Sequence, residues 1–324
     1  MTLDNKHVTL FVILILLTLT VTLNHAYATS IAVGGNPTDI AFDSHLNEVY
    51  VSNYDSGSGN TVSVISDATD TVTASITVGT GPAGVTFDSS KNEVFVANEG
   101  SGTVSVISDA TNKATASITV GSAPVGVAFD SHLNEILVSN FRSNTVSVIS
   151  DATNKVAETI AVGIGPAGVA FDSHLNEIFV SNFHSGTVSM IFDATKTVAA
   201  TITVGSYPHG VAFDSHLNEV FVANEGSGTV SVISDATNKV TATVTIDIGV
   251  SPTNIAFDSH LNEVFISNSD SGSGNTVSVV ADSTNTVTAT IIVGNAPYGV
   301  AFDSNKNEIF VANNVSGTIS VVSG

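Results

Sequence analysis

The chain of 324 residues carries 29 acidic and 8 basic side chains, a formal net charge of −21, and no cysteine. Without cysteine there are no disulfides, thiolate metal sites or covalently held haem. The acidic balance argues against nucleic acid as a partner, because binding it takes basic surface to neutralise phosphates, and against docking on an anionic bilayer.

Residues 1–28 read as an export signal: Lys6 and His7 precede an apolar run from Val8 to Leu23, and "NHAYA" follows with small residues at Ala26 and Ala28. The run of 16 residues falls short of the roughly 20 that a spanning helix needs. Cleavage after Ala28 is expected to leave residues 29–324 as a secreted or cell-surface protein. No second apolar stretch of that length follows, so no transmembrane segment is expected in the mature chain.

From Ser30 onward the sequence repeats itself. Phe-Asp-Ser recurs at Phe42, Phe87, Phe129, Phe171, Phe213, Phe257 and Phe302, with spacings of 45, 42, 42, 42, 44 and 45 residues. In the second repeat four segments alternate apolar and small polar residues: "GVTF" (84–87), "EVFVAN" (93–98), "TVSVIS" (103–108) and "TASITVG" (115–121). This is strand patterning. The intervening "DSSKN", "EGSG", "DATNK" and "SAP" are turn-forming. Four antiparallel strands recurring about every 42 residues predict an all-β, seven-bladed β-propeller. The last repeat ends after its third strand, "TISVVSG", while "SIAVGG" (30–35) matches the fourth strand of the others. The N-terminal strand is therefore expected to close the last blade.

The motif at Tyr50–Asn53, "YVSN", returns as "FVAN", "LVSN", "FVSN", "FVAN", "FISN" and "FVAN". With the preceding P-x-G-[VI]-A and the following T-V-S-V-I, this resembles the YVTN-type β-propeller repeat proteins, an exported and surface-layer-like family. The resemblance spans 30–324 and implies the propeller with "GVAF" innermost. It implies little about function, since the superfold hosts many activities.

Antiparallel order puts the connections after strands one and three of every blade on one face and those after strands two and four on the other. The first face collects the motif "FDSHLNE" (42–48), whose Asp, His, Asn and Glu could suggest a metal or acid/base centre. Its histidines, His45, His132, His174, His216 and His260, give way to Ser90 and Asn305 in two repeats. Copies on separate blades cannot converge on one point, so the motif reads as a turn. A residual metal reading is Ca²⁺ bound weakly by the acidic ring, with Asp43, Asp130 and Asp172 as candidate ligands.

On the second face the repeats differ. There lie Tyr54, Phe141, Arg142, Phe183, His184, His209 and Tyr298, of which Arg142 is the sole arginine. Exposed aromatics beside one cation suit a peptide, a glycan or a small anionic ligand. The expected function is a non-enzymatic binding or scaffold module. Two alternatives remain open. One is an enzyme of the propeller lactonase or lyase kind using His184, His209, Glu99 or Glu225, although no nucleophile elbow, zinc motif or phosphate loop accompanies them. The other is a structural protein that joins surface-layer components through divalent cations on the acidic face. The sequon Asn314-Val315-Ser316 permits glycosylation.

Overall fold

A computed structural model describes residues 26–246 and 250–323. The expected export signal lies outside the described residues except for Ala26–Ala28, which open strand β1 (Ala26–Ala32). Blade one is β2 (Pro37–Asp43), β3 (Glu48–Asn53), β4 (Thr61–Ser66) and β5 (Thr71–Thr77), hydrogen-bonded in that order. Blades two to six repeat it as β6–β9 (82–119), β10–β13 (124–161), β14–β17 (166–203), β18–β21 (208–245) and β22–β25 (252–292). Blade seven comprises β26 (Pro297–Asp303), β27 (Glu308–Asn313) and β28 (Thr318–Ser323), with β1 as its outer strand. Seven four-stranded antiparallel sheets thus form the expected propeller. Among the described residues no helix is long and apolar enough to cross a membrane.

The core lies between the blades. Tyr50 of β3 packs with Val62 and Val64 of β4 against Val85, Val94 and Val96 of blade two. Val49 and Val51, on the other side of β3, pack against Phe310 and Val321 of blade seven. Both faces of a blade are therefore buried, which is why strands two and three read as apolar runs with only small polar interruptions. Fourth strands fully bury a single aliphatic residue, as Ile76 does in β5, half-bury one more, Ala74 there, and expose the rest.

Two recurring polar residues have defined tasks. The asparagine that ends each YVTN-like motif is buried: Asn53 Nδ2 donates to Thr61 Oγ1 at 3.1 Å and to Ser63 Oγ at 3.0 Å, and the other six repeat this pair. Near the axis, first strands approach so closely that a Cβ on Gly84 would lie 2.2 Å from the Val125 carbonyl oxygen. Glycine is required there by space.

Ile31 of β1, 6% exposed, completes the seam between blades seven and one. Ile31→Ala should lower the unfolding free energy by about 2–5 kcal/mol, measured by urea denaturation. A loss below about 0.5 kcal/mol would show that β1 does not close the ring.

Candidate functional site

On the face formed by the connections after strands two and four, the axial channel opens as a funnel of about 580 Å³. Its wall is built from the two residues after each repeat proline. The second is glycine in five blades, but blade one places Asp39 there and blade six Asn254. Asn254 Nδ2 donates to Asp39 Oδ1 at 3.3 Å, and the Val85 backbone N–H donates to Asp39 Oδ2 at 3.0 Å. Burial pushes the Asp39 carboxyl up to about 7, with the Val85 and Ile40 amides opposing the shift.

The first residue after the proline is His209 in blade five and Tyr298 in blade seven. The Tyr298 hydroxyl lies 2.7 Å from His209 Nε2, and burial holds the imidazole down to about 4, the Thr253 backbone opposing weakly. His209 is therefore neutral near pH 7, and its Nε2 shares a hydrogen bond with the Tyr298 hydroxyl. Its backbone and that of Tyr298 are fixed by Ser181 and Ser267 of the preceding blades, whose hydroxyls donate to their carbonyls. Farther round the funnel the Tyr54 hydroxyl donates to Glu99 Oε2 at 2.6 Å; burial, with this bond second, raises the phenol to about 12. Glu225 also lines the funnel, its pKa raised by burial.

Rings continue from the funnel to its lip. Phe183 stacks on Tyr207 with centroids 4.9 Å apart and planes 21° apart, and lies 6.0 Å from Phe141 and 6.2 Å from His209. His184 sits edge-on to both Phe141 and Phe183. Tyr207 is 51% exposed and has φ of 52°. A bulky side chain in that left-handed region is strained by about 1–3 kcal/mol, so the exposed ring is held against local preference.

Of the residues singled out in the sequence, Phe141, Phe183, His184, His209 and Tyr298 thus form one connected series. Arg142 instead lines a neighbouring depression with Tyr54 and Glu99. Asp39 and Asn254 belong to the varied positions of this face but are not among the candidate ligand residues, and Tyr207 is not singled out, although each departs visibly from the repeat: Asp39 and Asn254 where glycine is usual, Tyr207 where a small residue usually precedes the proline. Asn314 of the sequon donates Nδ2 to the Pro37 carbonyl at 3.2 Å.

On the opposite face, "FDSHLNE" forms a turn. Asp43 Oδ1 accepts from the backbone N–H of His45 at 2.7 Å and of Leu46 at 3.3 Å, and Asn47 supplies the left-handed residue at φ 58°. Four of the histidines also reach the next blade. His45, His132, His174 and His216 place Nδ1 at 2.7–2.8 Å from Asp109, Asp193, Asp235 and Asp282. Ser90 replaces the contact with a hydroxyl bond to Asp151 at 2.8 Å. Of the candidate metal ligands, Asp130 lies near Lys196, whose Nζ is 3.9 Å from its Oδ2, while Asp43 and Asp172 have no such lysine.

Comparison with solved structures finds similarity to Kuenenia stuttgartiensis hydrazine synthase, with a TM-score of 0.80 at 17% identity over 94% of this chain and 99% of that chain. At this identity the likeness carries the fold alone. No family model and no curated protein matches the sequence.

Burial raises carboxyls around the acidic seams, Asp130 to about 6 and Glu177 to about 7. A carboxyl raised in the folded state holds its proton longer there than in the unfolded chain, so stability falls as pH climbs from about 4.5 to about 7. His174 and His216, raised by their aspartates, contribute stability that is present below their unfolded value and lost as pH rises through the folded one. In chelator-containing buffer the melting temperature should therefore be higher at pH 5 than at pH 8. An equal or lower value at pH 5 would contradict this assignment.

Proposed function

We propose that the protein is a non-enzymatic binding module that holds a glycan in the funnel and along its aromatic lip. The observation that carries this is the stack of half-buried Phe183 on exposed Tyr207, 4.9 Å between centroids, at the edge of a funnel holding Asp39, Glu99 and Glu225. A sugar presents an apolar C–H face, which stacks on an aromatic ring. Its rim of hydroxyls bonds to acceptors such as carboxylates and to dual groups such as phenols and amides. Among the ligand classes suggested by the sequence, a small anion would meet the carboxylates of the lining. Export, a cell-surface location and membership of the YVTN-type repeat proteins form part of the same proposal, supported by the leader-like start and the repeat motif.

A second reading, an acid/base enzyme, is favoured by one observation: Asp39, whose carboxyl burial pushes up to about 7, lines the same funnel as neutral His209 and Tyr298. Hydrolysis or elimination on a lactone or uronide panel, abolished by Asp39→Asn with binding retained, would establish it.

An oligosaccharide array followed by titration calorimetry tests the binding role. Tyr207→Ala and Phe183→Ala should each weaken the affinity of a glycan hit by about 1–3 kcal/mol, while Arg142→Ala leaves it within about 0.5 kcal/mol. If instead only anionic ligands bind and Arg142→Ala costs about 1.5–3 kcal/mol, the site is an anion receptor centred on Arg142.

A further inference from the structure

The first strand of each blade pairs on one side only, so its other edge turns backbone groups toward the axis. Blade two shows which groups these are: the Val85 amide donates to Asp39 Oδ2 of blade one at 3.0 Å. The ladder keeps the same register in the next three blades, where Val127 faces Val138, Val169 faces Val180 and Val211 faces Val222, as Val85 faces Val96. Hydrogen bonding alternates along an antiparallel pair, so an amide that turns to the axis at this register in one blade does so in the others. Val127, Val169 and Val211 all line the funnel.

What differs is the residue across from each amide. Asp39 stands across from Val85, whereas Gly84, Gly126 and Gly168 hold its position in blades two, three and four. A Cβ on Gly84 would lie 3.2 Å from the Val127 nitrogen, and one on Gly168 would lie 3.1 Å from the Val211 nitrogen. With no side chain at these glycines, the three amides open on the funnel as that of Val85 does not. The Asp39 carboxylate marks what such an amide takes, an oxygen with a free lone pair.

The wall beside these amides is apolar. The residues after the repeat prolines are Ala83, Val125 and Ala167 in blades two to four, while His209, Asn254, Tyr298 and Asp39 bring the polar side chains from blades five, six, seven and one. The carbonyls of Ala83, Ala167 and His209 already accept the hydroxyls of Ser52, Ser139 and Ser181. Donor amides against small aliphatic side chains suit a carbonyl oxygen carried on a small apolar body. The aromatic lip occupies the same sector, since Phe141 and Phe183 follow the second strands of blades three and four and Tyr207 precedes the first strand of blade five.

We propose that the funnel selects a glycan bearing an acetamido group, whose carbonyl oxygen is taken by the inward amides of blades three to five and whose methyl lies against Val125 and Ala167. This rests on the glycan reading and names the substrate class within it. The group is neutral, so it escapes the repulsion that a uronate carboxylate would meet from Asp39, Glu99 and Glu225. A hydroxyl at the same ring position would reach less deeply and would bring no methyl to the aliphatic wall.

Calorimetric titration of the full chain with three probes tests this: a chitooligosaccharide, the glucose oligomer of the same length and linkage with a hydroxyl in place of each acetamido group, and a hexuronate oligomer. The acetamido oligomer should bind about tenfold or more tighter than either of the others. In ¹H–¹⁵N spectra it should move amide protons of Val127, Val169 or Val211 downfield and leave that of Val85, already bonded to Asp39, in place. Equal affinity for the acetamido and hydroxyl oligomers, both weakened by Tyr207→Ala, would overturn the acetamido assignment and leave the glycan reading standing. Tighter binding of the hexuronate, or tight binding of the acetamido oligomer with the valine amides unmoved, would also overturn the assignment. Absence of binding by these three and by every sugar of the array would overturn both.

Discussion

Two-sided burial of each sheet is the constraint on which the remaining structure depends. A four-stranded sheet of six- and seven-residue strands has too little core to stand alone, and here its stability comes from pressing one face on the preceding blade and the other on the next. Seven such seams must then close. A ring with one seam open would expose a sheet face and an unpaired strand edge, and β1 removes both by pairing with β28 and inserting Ile31.

Close packing along the seams leaves freedom only at their ends. Near the axis the first strands press together so tightly that glycine is the usual residue, and the exceptions, Asp39 and Asn254, project into the one space available, the funnel. At the acidic ends the turn aspartates are locked by their own backbone bonds through Oδ1, which leaves Oδ2 facing into the seam. Lys196 comes within 3.9 Å of one of them, on Asp130, while the histidines and Tyr50 bond instead to side chains of the neighbouring turns, His45 to Asp109 and Tyr50 to Asn112. The histidine that opens the question of a catalytic motif is thus one member of an interblade pair.

The fold was legible in the sequence because the repeat multiplies every local signal by seven: strand alternation, turn residues and the missing fourth strand of the last blade all recur or stand out against copies of themselves. The aromatic rim was legible for the same reason, since Phe141, Phe183, His184, His209 and Tyr298 interrupt near-identical repeats. Asp39 and Asn254 carry the same kind of signal, but that they project into the axial funnel and bond to each other across it depends on the approach of blades six and one, and the stacking of Tyr207 on Phe183 depends on the neighbouring blade. The separation of Arg142 from the stacked rings, and the link between each turn histidine and an aspartate in the following blade, depend on side-chain direction and interblade register. Neither is encoded by spacing within a repeat.

A propeller of this design keeps its scaffold identical around the ring and varies only what emerges at the two faces, so that binding chemistry can change without disturbing the seams. The central claim is that ligand is held on the funnel side, against the aromatic lip and the axial side chains. Hydrogen–deuterium exchange with and without an oligosaccharide tests it most directly. The account predicts slowed exchange in segments 183–186, 205–210, 251–255 and 295–299, with the turns from the Asp43 to the Asp303 motif unchanged. Protection confined to those acidic-face turns, or no protection by any oligosaccharide, would contradict it.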